Sequence, residues 1–82
     1  MSEADKMFQE LGYKKITNNF LNYVEYTKKE NEDIDLVISF NGESKTVMAA
    51  IYEKGNPRSR SLAIIIKELE AINKKVEELK WN

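Results

Sequence analysis

Residues 53–61, EKGNPRSRS, contain both arginines of the chain, in a spacing that could hold an anion. Lys54, Arg58 and Arg60 lie within seven residues, and a helix that began just after them would add free backbone N–H donors. The segment lacks the glycine pattern of a P-loop or a dinucleotide-binding fold. Because Gly-Asn-Pro at 55–57 is ordinary turn chemistry, we prefer a solvated turn and keep anion binding as the alternative.

No other set of residues has catalytic or metal-binding chemistry. The chain has no cysteine and no histidine, so it lacks thiolates and the usual ligands of zinc and most transition metals. General acid–base catalysis would depend on carboxylates, lysines or tyrosines, and none of these form a spaced set distinct from the surface charge. We therefore expect a non-enzymatic protein without a metal or a cofactor.

Composition limits the remaining function classes. The 82 residues are 41% hydrophobic and 33% charged, which predicts a single globular domain over residues 1–82. Thirteen basic and 14 acidic side chains give a net charge of -1, so nucleic-acid binding would have to be local. The sequence contains neither an apolar export-signal core nor a run of about 18 apolar residues. We therefore expect a cytoplasmic protein that does not span a membrane.

The first dozen residues predict a short helix. Apolar residues recur at helical spacing at Ala4, Met7, Phe8 and Leu11. Ser2 is a suitable N-cap and Gly12 a suitable left-handed terminator.

The middle of the sequence predicts strands. After YKKI (13–16) and a turn at 17–19, the tyrosines and valine of FLNYVEYTKK (20–29) favour a strand. The charged run KKENED (28–33) is interpreted as a turn, and IDLVISF (34–40) alternates as a strand should.

Asn41-Gly42 predicts a hairpin between 34–40 and 46–52, through a type I′ turn or a loop lengthened by Glu43 and Ser44. Its second strand would place the alternating residues Thr46, Met48, Ala50 and Tyr52 beside Val37. This group is less polar than a solvated face, so a homodimer that hides it is possible.

From Ser61 onward two interpretations compete. A helix beginning near Ser61 would have apolar residues three and four apart, whereas the isoleucines of SLAII (61–65) favour a fourth strand followed by a helix from Ile66 or Lys67. Periodicity does not separate them, and we prefer the second. In both, one apolar stripe of the helix, Leu69, Ile72, Val76 and Leu79, would pack on the strand residues Ile34, Leu36, Ile38 and Phe40.

The predicted fold is α+β: a short N-terminal helix, an antiparallel meander of about four strands, and an amphipathic C-terminal helix on one sheet face. The segments FQELGYKK and KELEAINKKVEELKW resemble a pattern of small uncharacterised proteins from phages and mobile elements of Gram-positive bacteria. The resemblance covers roughly the first 15 and last 17 residues. Those proteins often have Ser or Thr near the helix N-cap and Gly before the final Trp, where this chain has Ile65 and Lys80.

The leading functional hypothesis is a protein-interaction module, a phage accessory protein that binds and modulates a host protein in the host cytoplasm. The alternative is a nucleic-acid-binding protein that stacks bases on sheet tyrosines and contacts phosphates through the Arg58/Arg60 loop. Trp81 is expected to seal the core, although tryptophan is also common in interaction hot spots. The candidate interaction residues are Lys54, Arg58, Arg60, Tyr23, Tyr26, Tyr52 and Trp81.

Overall fold

A computed structural model describes residues 2–18 and 22–81. It has the predicted α+β architecture: an N-terminal helix, an antiparallel sheet and a C-terminal helix near the sheet. In chain order the elements are α1 (Glu3–Glu10), β1 (Lys14–Asn18), β2 (Tyr23–Asn31), β3 (Ile34–Asn41), β4 (Thr46–Glu53), β5 (Arg60–Ser61) and α2 (Ile66–Leu79).

Helix α1 begins and ends at the predicted residues. The Ser2 hydroxyl accepts a hydrogen bond from the Asp5 N–H at 3.0 Å, which satisfies one of the free donors of the first turn. Gly12 has φ +95°, a conformation that glycine adopts without steric cost. Ala4 and Phe8 are fully buried, so these two positions fix the face that α1 turns to the core.

The sheet is a meander in the order β1-β2-β3-β4-β5, and every neighbouring pair is antiparallel. It has five strands rather than about four because Lys14–Asn18 forms an edge strand that the sequence did not predict. All five residues of β1 are exposed, so β1 has no alternation of buried and exposed positions. Its strand conformation comes from pairing with β2, which periodicity cannot reveal.

Both predicted turns around β2 need correction. Thr17 and Asn18 belong to β1, while Asn19 and the predicted strand start at Phe20 and Leu21 lie outside the described residues. The segment 28–31, assigned to a turn, continues β2, because Lys28 and Lys29 pair with Leu36 and Asp35 of β3. The turn contains only the two residues between Asn31 and Ile34.

The predicted β3–β4 hairpin is confirmed, with Phe40 opposite Val47. Its connection is the longer loop, not a type I′ turn. The Asn41 side chain accepts hydrogen bonds from the backbone N–H groups of Glu43 and Ser44, and Gly42 does not have a positive φ. A Cβ atom at Gly42 would overlap the side-chain amide of Asn22, so any larger residue here would displace that side chain.

The preferred strand at 61–65 is wrong over most of its length. Only Arg60 and Ser61 pair with β4 as β5, and one more bond joins the Leu62 N–H to the Ala49 carbonyl at 3.2 Å. Helix α2 begins at Ile66 as that interpretation expected. Its N-cap, Ile65, has no polar side chain, and the Glu68 carboxylate instead accepts the Ile65 N–H at 3.0 Å.

The core lies between the helices and one face of the sheet, and it is rich in aromatic rings. Phe8 stacks on Tyr26 with ring centroids 3.9 Å apart, and both rings contact the edge or face of Phe40. Trp81 packs against Phe40 at 6.2 Å, so it seals the core as expected. The buried cluster is Phe8, Tyr13, Val24, Tyr26, Ile38, Phe40, Ala71 and Ile72.

Helix α2 is rotated relative to the predicted stripe. Ile72 is buried and both Val76 and Leu79 pack against the core, but Leu69 is 44% exposed. Glu68 and Lys75 face inward instead. Each of these two charged groups has a polar partner beneath the helix. Such a partner offsets most of the free-energy cost of burying a charge.

Lys80 ends α2 in a left-handed conformation, φ 58° and ψ 42°. The Trp81 N–H bonds to the Val76 carbonyl at 3.3 Å, as in a glycine-terminated helix. We expect Lys80→Gly to raise the free energy of unfolding by roughly 0.5–1 kcal/mol, since only glycine adopts this conformation freely. Urea denaturation measures the change. Lys80→Ala is the matched control, and an equal gain from alanine would contradict the backbone explanation.

Candidate interaction surface

The face of the sheet turned away from both helices, here called the open face, is formed by alternate residues of β1 to β4. The predicted grouping of Met48, Ala50 and Tyr52 with Val37 is confirmed by the register, which pairs Ala50 with Val37. The whole face comprises Lys14, Ile16 and Asn18; Tyr23, Glu25, Thr27 and Lys29; Asp35, Val37, Ser39 and Asn41; and Thr46, Met48, Ala50 and Tyr52.

Three large apolar or aromatic side chains of the open face are exposed to solvent. Ile16 is 51% exposed, Met48 55% and Tyr52 42%. The residues between these three side chains include Ser39 and Ala50, which are small and almost fully buried between their neighbours. The face is therefore depressed at its centre, with larger side chains toward β1 and β4.

A groove of about 710 Å³ runs across the open face from β1 to β4. Ile16 and Tyr52 lie at its two sides, and Thr27 and Val37 line it between them. The remaining lining residues are Gly12, Lys14, Glu25, Lys29 and Asp35. The groove is thus partly apolar, with charged groups along its length.

The charges of the groove balance. Its two lysines, Lys14 and Lys29, are matched by Glu25 and Asp35. Lys29 and Asp35 form an exposed ion pair at 3.6 Å, and Glu25 accepts a hydrogen bond from the Tyr23 hydroxyl at 2.8 Å. Such a surface has no net attraction for a polyanion.

Tyr23 lies on the open face with its hydroxyl group already engaged. Partial burial and the hydrogen bond to Glu25 raise the pKa of Tyr23 above its usual value of 10.0. The hydroxyl is therefore a neutral donor at physiological pH, and it holds one oxygen of the Glu25 carboxylate.

The basic loop has the geometry of a turn. The Asn56 side chain accepts the Arg58 N–H at 3.0 Å, the Lys54 N–H bonds to the Asp33 carbonyl at 2.7 Å, and Gly55 has φ +82°. Arg60 forms an exposed ion pair with Glu53 at 3.8 Å. It pairs with Ile51 in β4, so its side chain lies on the helix side of the sheet, opposite Tyr23 and Tyr52.

Tyr26, one of the predicted interaction residues, is a core residue, only 1% exposed. Its hydroxyl donates to the Asp5 carboxylate at 2.6 Å, which also accepts from the Lys15 ammonium at 2.8 Å. Lys75 lies 3.7 Å from the same carboxylate. Burial alone would raise the pKa of Asp5, but these hydrogen bonds and positive charges outweigh it and lower the pKa to about 2.

A second buried polar pair joins Tyr13 to α2. The Tyr13 hydroxyl donates to Glu68 at 2.5 Å, and burial followed by this bond raises the pKa of Tyr13 well above its usual value. Together with the Asp5 contacts, this pair ties α1, β1 and β2 to α2. No buried side-chain donor or acceptor within residues 2–18 and 22–81 lacks a partner, so the polar groups under the helices are satisfied within the fold.

Sequence reasoning identified Tyr23 and Tyr52 of the open face but missed Lys14 and Ile16, the groove residues that β1 contributes. These two residues could be assigned to the open face only if β1 was recognised as a strand. The sequence of β1 has Ile16 as its only apolar residue and therefore shows no alternation. From the sequence, Asp5 could be predicted only as a negative charge in the first turn of a helix. Its role as a shared acceptor depends on Tyr26 and Lys75, which are far from it in the chain.

Within the described ranges, no three acidic side chains converge as metal ligands would. Neither described helix is long and apolar enough to cross a bilayer. Comparison with known proteins finds no matching family model, curated protein or solved structure.

Proposed function

We propose that this protein is a non-enzymatic protein-interaction module that binds a partner protein through the open face. The observation that carries the proposal is the exposure of Ile16 and Tyr52 at a broad groove that neither helix covers, with Met48 exposed on the same sheet face. Methionine and tyrosine are enriched at protein interfaces. A partner that filled the groove would remove these side chains from water.

The charged residues of the groove suit orientation better than affinity. Positive and negative side chains are interspersed on this face: Lys14 and Lys29 are basic, and Glu25 and Asp35 are acidic. Charges at the rim of an interface chiefly set register and association rate. We therefore assign most of the binding energy to Ile16, Met48 and Tyr52.

The proposal includes an origin and a role: a phage accessory protein that modulates a protein of its bacterial host. Its support is the resemblance of FQELGYKK and KELEAINKKVEELKW to proteins of phages and mobile elements. A small chain with one binding face is suited to such a role, because blocking a host protein requires binding and no chemistry.

Nucleic-acid binding is the alternative function and has weaker support. Lys14 and Lys29 lie in the same groove as Tyr52, but Glu25 and Asp35 offset their charge. Arg60 lies on the other side of the sheet, so a single strand on the open face would not reach it. Binding to nucleic acid would weaken steeply with salt, whereas an apolar protein interface would not.

The test is a pull-down from Gram-positive host lysate with a tagged open-face variant, Ile16→Lys with Tyr52→Lys. Each new lysine faces a carboxylate across the sheet, Glu25 and Asp35 respectively, which favours retention of the fold. We expect the wild type to recover a stoichiometric protein and the variant to lose at least tenfold in affinity, as loss of central interface residues typically causes.

The control variant is Arg58→Glu with Arg60→Glu, which leaves the groove intact. We expect it to recover the same protein as the wild type and to unfold within a few tenths of a kcal/mol of it, as exposed sites usually do. Equal recovery by the open-face variant, or absence of any stoichiometric protein, refutes the proposal. Loss of recovery after nuclease treatment would favour the nucleic-acid alternative.

A further inference from the structure

A second apolar surface lies on the opposite side of the molecule, at the start of α2. Ile64, Ile65, Ile66 and Leu69 are 40–69% exposed, and Ile66 is the most exposed of them. We call these four residues the isoleucine patch. None of them packs against the core cluster, so they do not contribute to it.

The patch follows from how α2 is oriented. Its buried positions include Glu68, Ala71 and Lys75, and at 100° per residue Ile66 lies about 180° around the helix from Lys75. The first turn of α2 is therefore apolar on its outer side, and Ile72 is buried on its inner side. The apolar part of this outer side is limited to Ile66 and Leu69, and contiguous exposed apolar residues mark interaction sites.

A groove of about 380 Å³ lies between the α1 segment and the start of α2, where Lys67, the residue after Ile66, lines it. Met7 and Leu11 of the α1 segment form its apolar part, and both are only half-buried. The other lining residues are Glu10 and, one and four positions after Ile66 on α2, Lys67 and Glu70. One copy of the chain thus presents an exposed isoleucine next in sequence to Lys67, which lines an apolar depression rimmed by charges of both signs.

We propose that a second copy of this chain covers the isoleucine patch in a two-fold symmetric dimer, with Ile66 of each protomer entering the other's groove. A two-fold interface is self-complementary, because each contact from one residue to another occurs twice with the roles exchanged. Lys67 and Glu70 satisfy this requirement electrostatically, since each lysine can meet the partner's glutamate. A surface of one charge sign would repel its own copy.

This dimer differs from the one expected from the sequence, which would have hidden the open face. The isoleucine patch lies on the helix side, so both open faces stay free and the dimer is bivalent. The patch is smaller than the roughly 20–30 residues that each partner of a stable interface supplies. The dimer should therefore dissociate at micromolar concentrations.

Light scattering of the untagged chain from about 5 to 500 µM tests the proposal. We expect the mass to rise from 9.6 kDa toward twice that value. Ile66→Glu should weaken self-association at least tenfold, whereas Met48→Glu, the matched change on the open face, should leave it unchanged. Circular dichroism verifies that both variants fold, as exposed positions permit.

A charge exchange provides the second readout. Lys67→Glu and Glu70→Lys should each weaken the dimer several-fold, and the double variant should restore it. A monomer mass at 500 µM, or dissociation caused by Met48→Glu but not Ile66→Glu, overturns the proposal. A third result also overturns it: the wild type is monomeric and recovers a protein from lysate, and the Ile66→Glu variant does not recover that protein. A different partner would then cover the patch. None of these results depends on the partner of the open face.

Discussion

Ile72→Ala should lower the free energy of unfolding by about 2–5 kcal/mol, the usual cost of removing a buried isoleucine side chain. Ile72 is 7% exposed and belongs to the core cluster beneath α2. Small proteins are stable by only about 0.05–0.15 kcal/mol per residue, so the variant should lose much of its total stability. Urea denaturation monitored by circular dichroism measures the difference.

Leu69→Ala is the matched control, one turn earlier on the same helix. Both residues belonged to the stripe predicted from the sequence, but Leu69 is 44% exposed. We expect its truncation to change the free energy of unfolding by less than about 0.5 kcal/mol, measured at low micromolar concentration where self-association is negligible. Equal losses from both variants would contradict the observed rotation of α2.

Acidification should remove about 2 kcal/mol of stability through Asp5 alone. Its pKa is about 2 in the folded protein against an ordinary value of 3.8, and each unit corresponds to about 1.4 kcal/mol. Because the folded pKa is the lower one, the stabilisation is fully present above about pH 4 and is lost as the pH falls through 2. Hydrogen bonds from Lys15 and Tyr26 to this carboxylate cause the effect.

The measurement is the free energy of unfolding of the wild type and of Asp5→Asn between pH 2 and 7. The two should differ by about 2 kcal/mol at neutral pH and converge toward pH 2, since other carboxylates titrate in both proteins and cancel. Asp35→Asn, which removes an exposed carboxylate paired at 3.6 Å, should follow the wild type closely. A constant gap between wild type and Asp5→Asn at every pH would contradict the assigned role.

Local signals determined the predictions that are confirmed. Ser2 and Gly12 bound α1 because a side-chain cap and a left-handed residue act within one turn of the chain. The β3–β4 hairpin follows from alternation and a short polar connection, which also act locally.

Part of the candidate site was also predicted, because alternation along a strand is a local signal. Alternation placed Met48, Ala50 and Tyr52 on one face, and the register agrees. It could not add Ile16, because a strand with all its residues exposed has no periodic signal. It also could not separate Tyr26 from Tyr23, since residues three apart on a strand lie on opposite faces and only the position of the helices decides which face is buried.

The sequence by itself determined the two helices, the β3–β4 hairpin and the absence of cysteine and histidine chemistry, because each depends on composition or on neighbours within a few residues. The tertiary structure decided which side of α2 faces the core. Glu68 and Lys75 are buried because Tyr13 and Asp5 lie beneath them, and this turns Ile66 and Leu69 outward. A buried charge is tolerated only beside its partner, and that partner is brought there by the fold.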